Sequence, residues 1–246
     1  MLDLAISIAG LSFGYERRPV FDEVSIDIPA GRFCALLGPN GAGKSTLFAL
    51  LTRLVVAKRG RVRIAGFDVR TQGRQAMARI GVVFQQPTLD PALSVRRNLG
   101  YYAALRGLAG ARARRAVEAA LDRLELRPRA DARVRELNGG HRRRLEISRA
   151  LMDDPSVLLL DEATVGLDVI SRREITDFVH ALCERQGLSV LWATHLVDEI
   201  QPDDQLLLLH QGRFLAQGTV RDLTGGQSLA DFYRRRIGAD TEETAA

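Results

Sequence analysis

The chain has 246 residues, 46% of them hydrophobic and 26% charged, and a formal net charge of +5. That length admits one large domain or a domain with a subdomain, and the composition suits a globular protein that buries a core. No apolar run approaches the roughly 18–20 residues that span a bilayer, and the opening MLDLAISIAG lacks the basic start and cleavage site of a signal peptide. Cys34 and Cys183 stand far apart in apolar patterns, so two reduced core thiols in a cytosolic protein are expected rather than a disulfide or metal pair. All but Lys44 and Lys58 of the 35 basic residues are arginine. A balance this modest permits an anionic neighbour, nucleic acid or membrane, without pointing to one.

In chain order, strand-like runs fall at Leu2–Ile8, Val24–Ile28, Phe33–Leu37, Val62–Ala65, Ile80–Phe84, Val157–Asp161, Ser189–Thr194 and Gln205–His210. FCALL, VLLL and SVLWAT are continuous apolar blocks, which fit strands of a parallel sheet covered on both faces. Helical spacing joins Leu47, Leu50, Leu51 and Leu54, and again Ile175, Phe178, Val179 and Leu182. From Pro87 to Pro155 the chain turns rich in Ala, Leu and Arg with no convincing strand. This predicts a helical subdomain (87–155) inserted into an α/β core formed by 1–86 and 156–238. The last residues, 239–246 (ADTEETAA), are small, polar and acidic and are expected to form a flexible tail.

The stretch GPNGAGKST, Gly38 to Thr46, follows FCALL and opens the Leu47–Leu54 helix. It matches G-x-x-x-x-G-K-[ST] in the strand–loop–helix setting that the pattern requires. Gly38, Gly41 and Gly43 let the backbone curl so that the N–H groups of Gly38, Pro39, Asn40, Gly41, Ala42 and Gly43, proline excepted, can face phosphate oxygens, and the helix N-terminus adds its dipole. Lys44 is expected on the β- and γ-phosphates, Ser45 on Mg²⁺, and Thr46 on a further phosphate oxygen. A nucleoside triphosphate is the implied ligand.

A second apolar strand ends in the acid pair of VLLLDEATVGLD. Asp161 is placed to hold Mg²⁺, and Glu162 to orient or deprotonate an attacking water. A third stretch, LNGGHRRRLE, reads as a helix start with Asn138 as cap. Yet Arg142, Arg143 and Arg144 crowd its first turns, where each misplaced cation costs about 0.3–1 kcal/mol.

Taken together, these pieces resemble the ATP-binding subunit of an ABC transporter along nearly the whole chain. Tyr15 in FGYERRPVFDEVS is similar to the aromatic that stacks on adenine, Gln85 in IGVVFQQ to the Q-loop glutamine, and LNGGH to the signature motif. Asp168 in VGLD resembles the D-loop acid, and His195 in WATH the switch histidine. The resemblance implies an α/β P-loop NTPase core with a mostly parallel sheet, an N-terminal antiparallel β subdomain and the inserted helical one. It implies ATP and Mg²⁺ as cofactors, with Ser45, Asp161 and Gln85 at the metal and Glu162, His195 and Gln85 in catalysis. Asn138, Gly139 and Gly140 would reach the γ-phosphate held by a second copy, so a homodimer is implied, with integral membrane permease subunits as further partners and no direct nucleic acid. The place implied is cytoplasmic, on the inner face of the cell membrane.

Three residues depart from the family's usual pattern: Asn138 for Ser, His141 for Gln, and Ala163 for the Pro after the acid pair. Asn caps and donates as well as Ser, His141 adds a group that titrates near neutrality, and Ala163 loosens the turn. GVVFQQPTLDPALSVRRNLGYYAALRGL looks like the exporter class that includes drug-efflux pumps. With LNGGHRRR and WATHLVDEI it is also similar to a bacterial subgroup found with pyrroloquinoline-quinone-dependent alcohol oxidation. Soluble ABC-type ATPases of translation or DNA repair usually carry two cassettes or a long coiled-coil insert, and neither is visible. A P-loop kinase would leave LNGGH, VGLD and WATH without a role.

Overall fold

The computed structural model describes residues 3–16 and 18–245. Two sheets organise the chain. The first is antiparallel, in the order β2-β1-β4-β5, with β1 (Leu4–Tyr15), β2 (Arg18–Pro29), β4 (Arg59–Ile64) and β5 (Phe67–Asp68). The second runs β10-β9-β3-β8-β7-β6. Its members are β3 (Phe33–Leu37), β6 (Ile80–Val83), β7 (Val157–Asp161), β8 (Ser189–Thr194), β9 (Gln205–His210) and β10 (Arg213–Thr219). All neighbours in it pair parallel except β10, which closes one edge antiparallel to β9.

The apolar blocks lie side by side as β3, β8 and β7, every residue of them buried. Alternation along β3 divides the core. Phe33, Ala35 and Leu37 face a cluster built with the helices α3 (Val95–Leu105), α4 (Gly110–Arg123), α5 (Gly139–Ala150) and α6 (Val169–Gln186). Cys34 and Leu36 face the other cluster, with β1, β2 and α1 (Lys44–Leu51). Each fully buried leucine here contributes about 1.5–3 kcal/mol of transfer free energy. Both cysteines are free and buried, and burial pushes the Cys183 thiol up to about 12.

Between β6 and β7 the described residues form helices and turns, with one isolated bridge joining Ser94 to Arg133. A short α2 (Gly73–Met77) leads into β6, and α7 (Val220–Thr224) and α8 (Leu229–Ala245) follow β10. Among the described residues no helix is long and apolar enough to cross a membrane.

Several bounds differ from the sequence expectation. The first two strands are twelve residues each rather than seven and five, because register shifts after Ile8 and Leu11 break the alternation that marks a strand. Leu2, the expected start, lies outside the described residues. Strand β10 went unread because its half-buried RFLAQGT carries no clear pattern. The segment expected as a tail continues α8 to Ala245, and Asp240 within it pairs with His210 on β9.

Candidate functional site

Four loops leave the carboxyl ends of parallel strands on one edge of the second sheet, where ligands of open α/β sheets bind. They carry Gly38 after β3, Gln85 after β6, Glu162 after β7 and His195 after β8. Gly43 caps α1 with φ +115°, a conformation that glycine adopts without strain. The helix so started points its N–H groups into the loop.

Lys44 is only 5% exposed. Its Nζ donates to the carbonyls of Gly38 (2.7 Å) and Pro39 (3.2 Å) and lies 3.3 Å from Glu162 Oε1. The other carboxylate oxygen of Glu162 accepts from Gln85 Nε2 at 3.1 Å, and His195 Nδ1 stands 3.5 Å from Oε1. One buried carboxylate thus gathers the lysine of the glycine loop, the glutamine and the histidine. Glu162 itself sits at φ +47°, held by its N–H donating to Ala193 O at 3.0 Å.

Asp161 lies beneath, 6% exposed, with Oδ1 buried and without a hydrogen-bond partner. Burial, then the Glu162 charge, push its carboxyl up to about 6, against Lys44 and a hydrogen bond from Ser45. An orphaned carboxylate oxygen beside a serine hydroxyl, in a place that penalises bare negative charge, fits a hard divalent cation with oxygen ligands.

Above these groups opens a cleft of about 520 Å³ lined by Tyr15, Asn40, Gly41, Gly43, Lys44, Ser45, Thr46, Gln85, Glu162 and His195, with Val20 and Val165. Tyr15 is 47% exposed and packs edge-on against Phe13 at 5.1 Å.

Asn138, Gly139, Gly140 and Asp168 do not line this cleft. They form a second group elsewhere. Asn138 caps α5 through its Oδ1, which accepts from His141 N at 2.8 Å. Asp168 caps α6, accepting from the N–H and hydroxyl of Ser171 at 2.9 and 2.7 Å. Gly140 lies against the same Ser171, whose Oγ a Cβ there would meet at 2.9 Å. The tips of α5 and α6 therefore make one surface, with Val169 and Ile170 exposed beside it.

The arginines of α5 are accounted for separately. Arg143 turns back into the protein and pairs with Glu146 at 2.7 Å, and Arg144 reaches Glu174 on α6 at 2.5 Å. Arg142 stays partly exposed at the tip, and among the described residues no acid pairs with it. Burial, with Arg144 and Arg129 nearby, holds His141 below the ordinary histidine range.

Sequence reasoning missed Arg143, Glu146 and Glu199 as parts of the site's frame. Glu199 is buried and accepts from Trp192 Nε1 (3.0 Å) and Thr194 Oγ1 (2.5 Å), and it also bonds the Thr164 hydroxyl. It ties the loop after Glu162 to the loop bearing His195. A charged residue between Leu145 and Ile147 was the one available signal for Glu146.

Fold and cleft together define a P-loop nucleoside-triphosphate-binding protein. The ABC transporter family model matches residues 21–165, and the chain belongs to that family. It is 37% identical over 94% of its length to Nod factor export ATP-binding protein I of Paraburkholderia xenovorans, spanning 76% of that protein. To the daunorubicin resistance ATP-binding protein DrrA3 of Streptomyces coeruleorubidus it is 36% identical over 97% of its length, again spanning 76%. The structure of cbiO1 from Clostridium perfringens, part of the ABC transporter complex cbiONQ, superposes with a TM-score of 0.83 at 26% identity. That match covers 99% of this chain and all of cbiO1. The protein is an ATP-binding, ATP-hydrolysing subunit of an ABC transporter.

Proposed function

We propose that two copies of the chain, related head to tail, enclose two ATP molecules and drive export through separate membrane permease subunits. The observation that carries this reading is the division of the expected site on one chain. Tyr15, the glycine loop, Gln85, Glu162 and His195 line one cleft, while Asn138–Gly140 and Asp168 share a different surface. A second copy brings such halves together.

In this arrangement Tyr15 stacks on adenine, and Gly38 to Thr46 wrap the phosphates with backbone N–H groups, Lys44 and Thr46. Asp161, Ser45 and Gln85 would hold Mg²⁺, which would supply neutralising charge to the phosphates. Phosphate oxygens compete with Glu162 for Lys44, which leaves Glu162 able to accept the proton of the attacking water. His195, next to that carboxylate, faces the γ-phosphate. From the second copy, Asn138 and the N–H groups of Gly139 and Gly140 reach the same phosphate, and Arg142 adds positive charge there. That cation, costly on a lone helix, becomes favourable beside a polyphosphate.

Loss of the γ-phosphate removes the anion shared by the two surfaces, and the copies part. The motion reaches the permease through Gln86 to Leu108, where Tyr101 and Leu105 on α3 are exposed. On this reading the protein works at the cytoplasmic face of the membrane. The export relatives support the direction of transport. Co-purification with a membrane protein, rather than with ribosomes or DNA, separates this reading from a soluble ABC-type ATPase.

The test is Glu162→Gln. The variant is expected to bind ATP, to lose about 10²-fold or more in turnover, and to accumulate as a dimer on ATP addition in size-exclusion chromatography. Wild-type turnover would remove Glu162 as the base, and a monomer throughout would remove the composite site.

A further inference from the structure

Helix α5 begins with the tip that the proposed dimer uses, and within two turns it grips the loop that carries Gln85. Arg143 is 7% and Glu146 2% exposed. Arg143 Nη1 donates to Phe84 O at 2.9 Å, and Nη2 to Gln85 O at 3.3 Å. Glu146 neutralises it through Oε2 at 2.7 Å, while its Oε1 accepts from Thr88 N at 2.9 Å. Arg149 completes the grip, donating to Thr88 O at 3.0 Å and bonding its hydroxyl. Three side chains of one helix thus engage the backbone at 84, 85 and 88. The side chain of Gln85, fixed from behind, meets Glu162.

A buried ion pair need not add stability, since apolar residues of like volume often serve as well. What this pair does beyond filling space is direct. Its planar fork spans two successive carbonyls, a geometry that guanidinium provides and an ammonium cannot. We propose that Arg143 and Glu146 are positioning residues for Gln85. The helix whose tip serves one nucleotide site thereby sets the place of Gln85 in the other. This rests on the reading of Gln85 as a Mg²⁺ ligand and on the composite dimer.

The experiment compares wild type, Gln85→Ala, Arg143→Lys and the double variant Arg143→Met/Glu146→Met, each as the full chain. Two quantities are measured: the Mg²⁺ dependence of ATP hydrolysis, and the affinity for a fluorescent ATP analogue in EDTA. The double variant removes both charges of the pair but also the acid nearest Arg149, whereas Arg143→Lys keeps both charges, and circular dichroism checks the fold of each. Both are expected to raise the half-saturating Mg²⁺ about tenfold, as loss of an outer partner of a metal ligand does. Affinity in EDTA stays within about twofold of wild type. A wild-type Mg²⁺ profile in the folded variants, with Gln85→Ala shifted, would overturn the inference alone. A fall in both quantities together would make the pair merely structural and overturn it too. If Gln85→Ala leaves the Mg²⁺ profile unchanged, the role of Gln85 itself fails, and the inference with it.

Discussion

Glu162 shows how much chemistry is set by one backbone angle. At φ +47° it is in the left-handed region, which costs a non-glycine residue about 1–2 kcal/mol. The strand partner Ala193, which accepts its N–H, and Val165, whose N–H donates back to its carbonyl at 3.2 Å, hold it there. The reward is a carboxylate within reach of Lys44, Gln85 and His195 at once. Glu162→Gly should therefore unfold at higher urea than Glu162→Ala, by about 0.5–1 kcal/mol, strain relief exceeding the larger chain entropy that glycine loses. Equal midpoints would show that no strain is stored. The identity of the acid was legible from its place after an apolar strand; its angle was not, since that depends on a neighbouring strand about thirty residues on.

At the scale of elements, the turn between β9 and β10 does more than connect. Gln211 and Gly212 are both left-handed, at φ +44° and +77°, as a tight two-residue hairpin turn requires. Gly212 donates its N–H to Ala42 O at 2.9 Å, so the hairpin tip steadies the glycine loop from below. A Cβ on Gly212 would come within 1.7 Å of Val20 O on β2. Gly212→Ala is expected to cost about 3 kcal/mol or more, since backbone has to move and the angle is strained as well. The same variant should weaken ATP binding, which isothermal titration would read. An unchanged melt and affinity would mean that the tip is not wedged between β2 and the loop. A dipeptide such as QG signals a turn, but nothing local says that it touches two other segments.

For the whole molecule, a buried pair joins layers that are distant in the chain. His180 on α6 stacks on Phe33 of β3 at 3.9 Å, and its Nε2 meets both oxygens of Asp204, at 3.0 and 3.1 Å, just before β9. Burial disfavours the imidazolium, yet the hydrogen bond and charge of Asp204 outweigh it and hold His180 above the usual histidine range. The folded chain then binds this proton more tightly than the unfolded one. The pair's stability is fully present below about pH 6.5 and is lost as pH rises through the higher folded value. Urea midpoints should fall between pH 6 and pH 8.5, and His180→Gln should flatten that fall. A wild-type midpoint with no such fall would show His180 neutral in the fold.

Residues close in the chain were enough to name the phosphate loop, the acid pair and the helical insert, because backbone curl, a strand end and a helix period are local matters. Contacts across the chain decided the rest. Arg143 meets carbonyls 58 and 59 residues away, and Glu199 bonds Thr164. The glycine loop and the α5 tip turned out to lie on different surfaces of one chain. Sequence order can place a group at a strand end, but only packing fixes which ends meet, since burial and pairing are satisfied over the whole fold together.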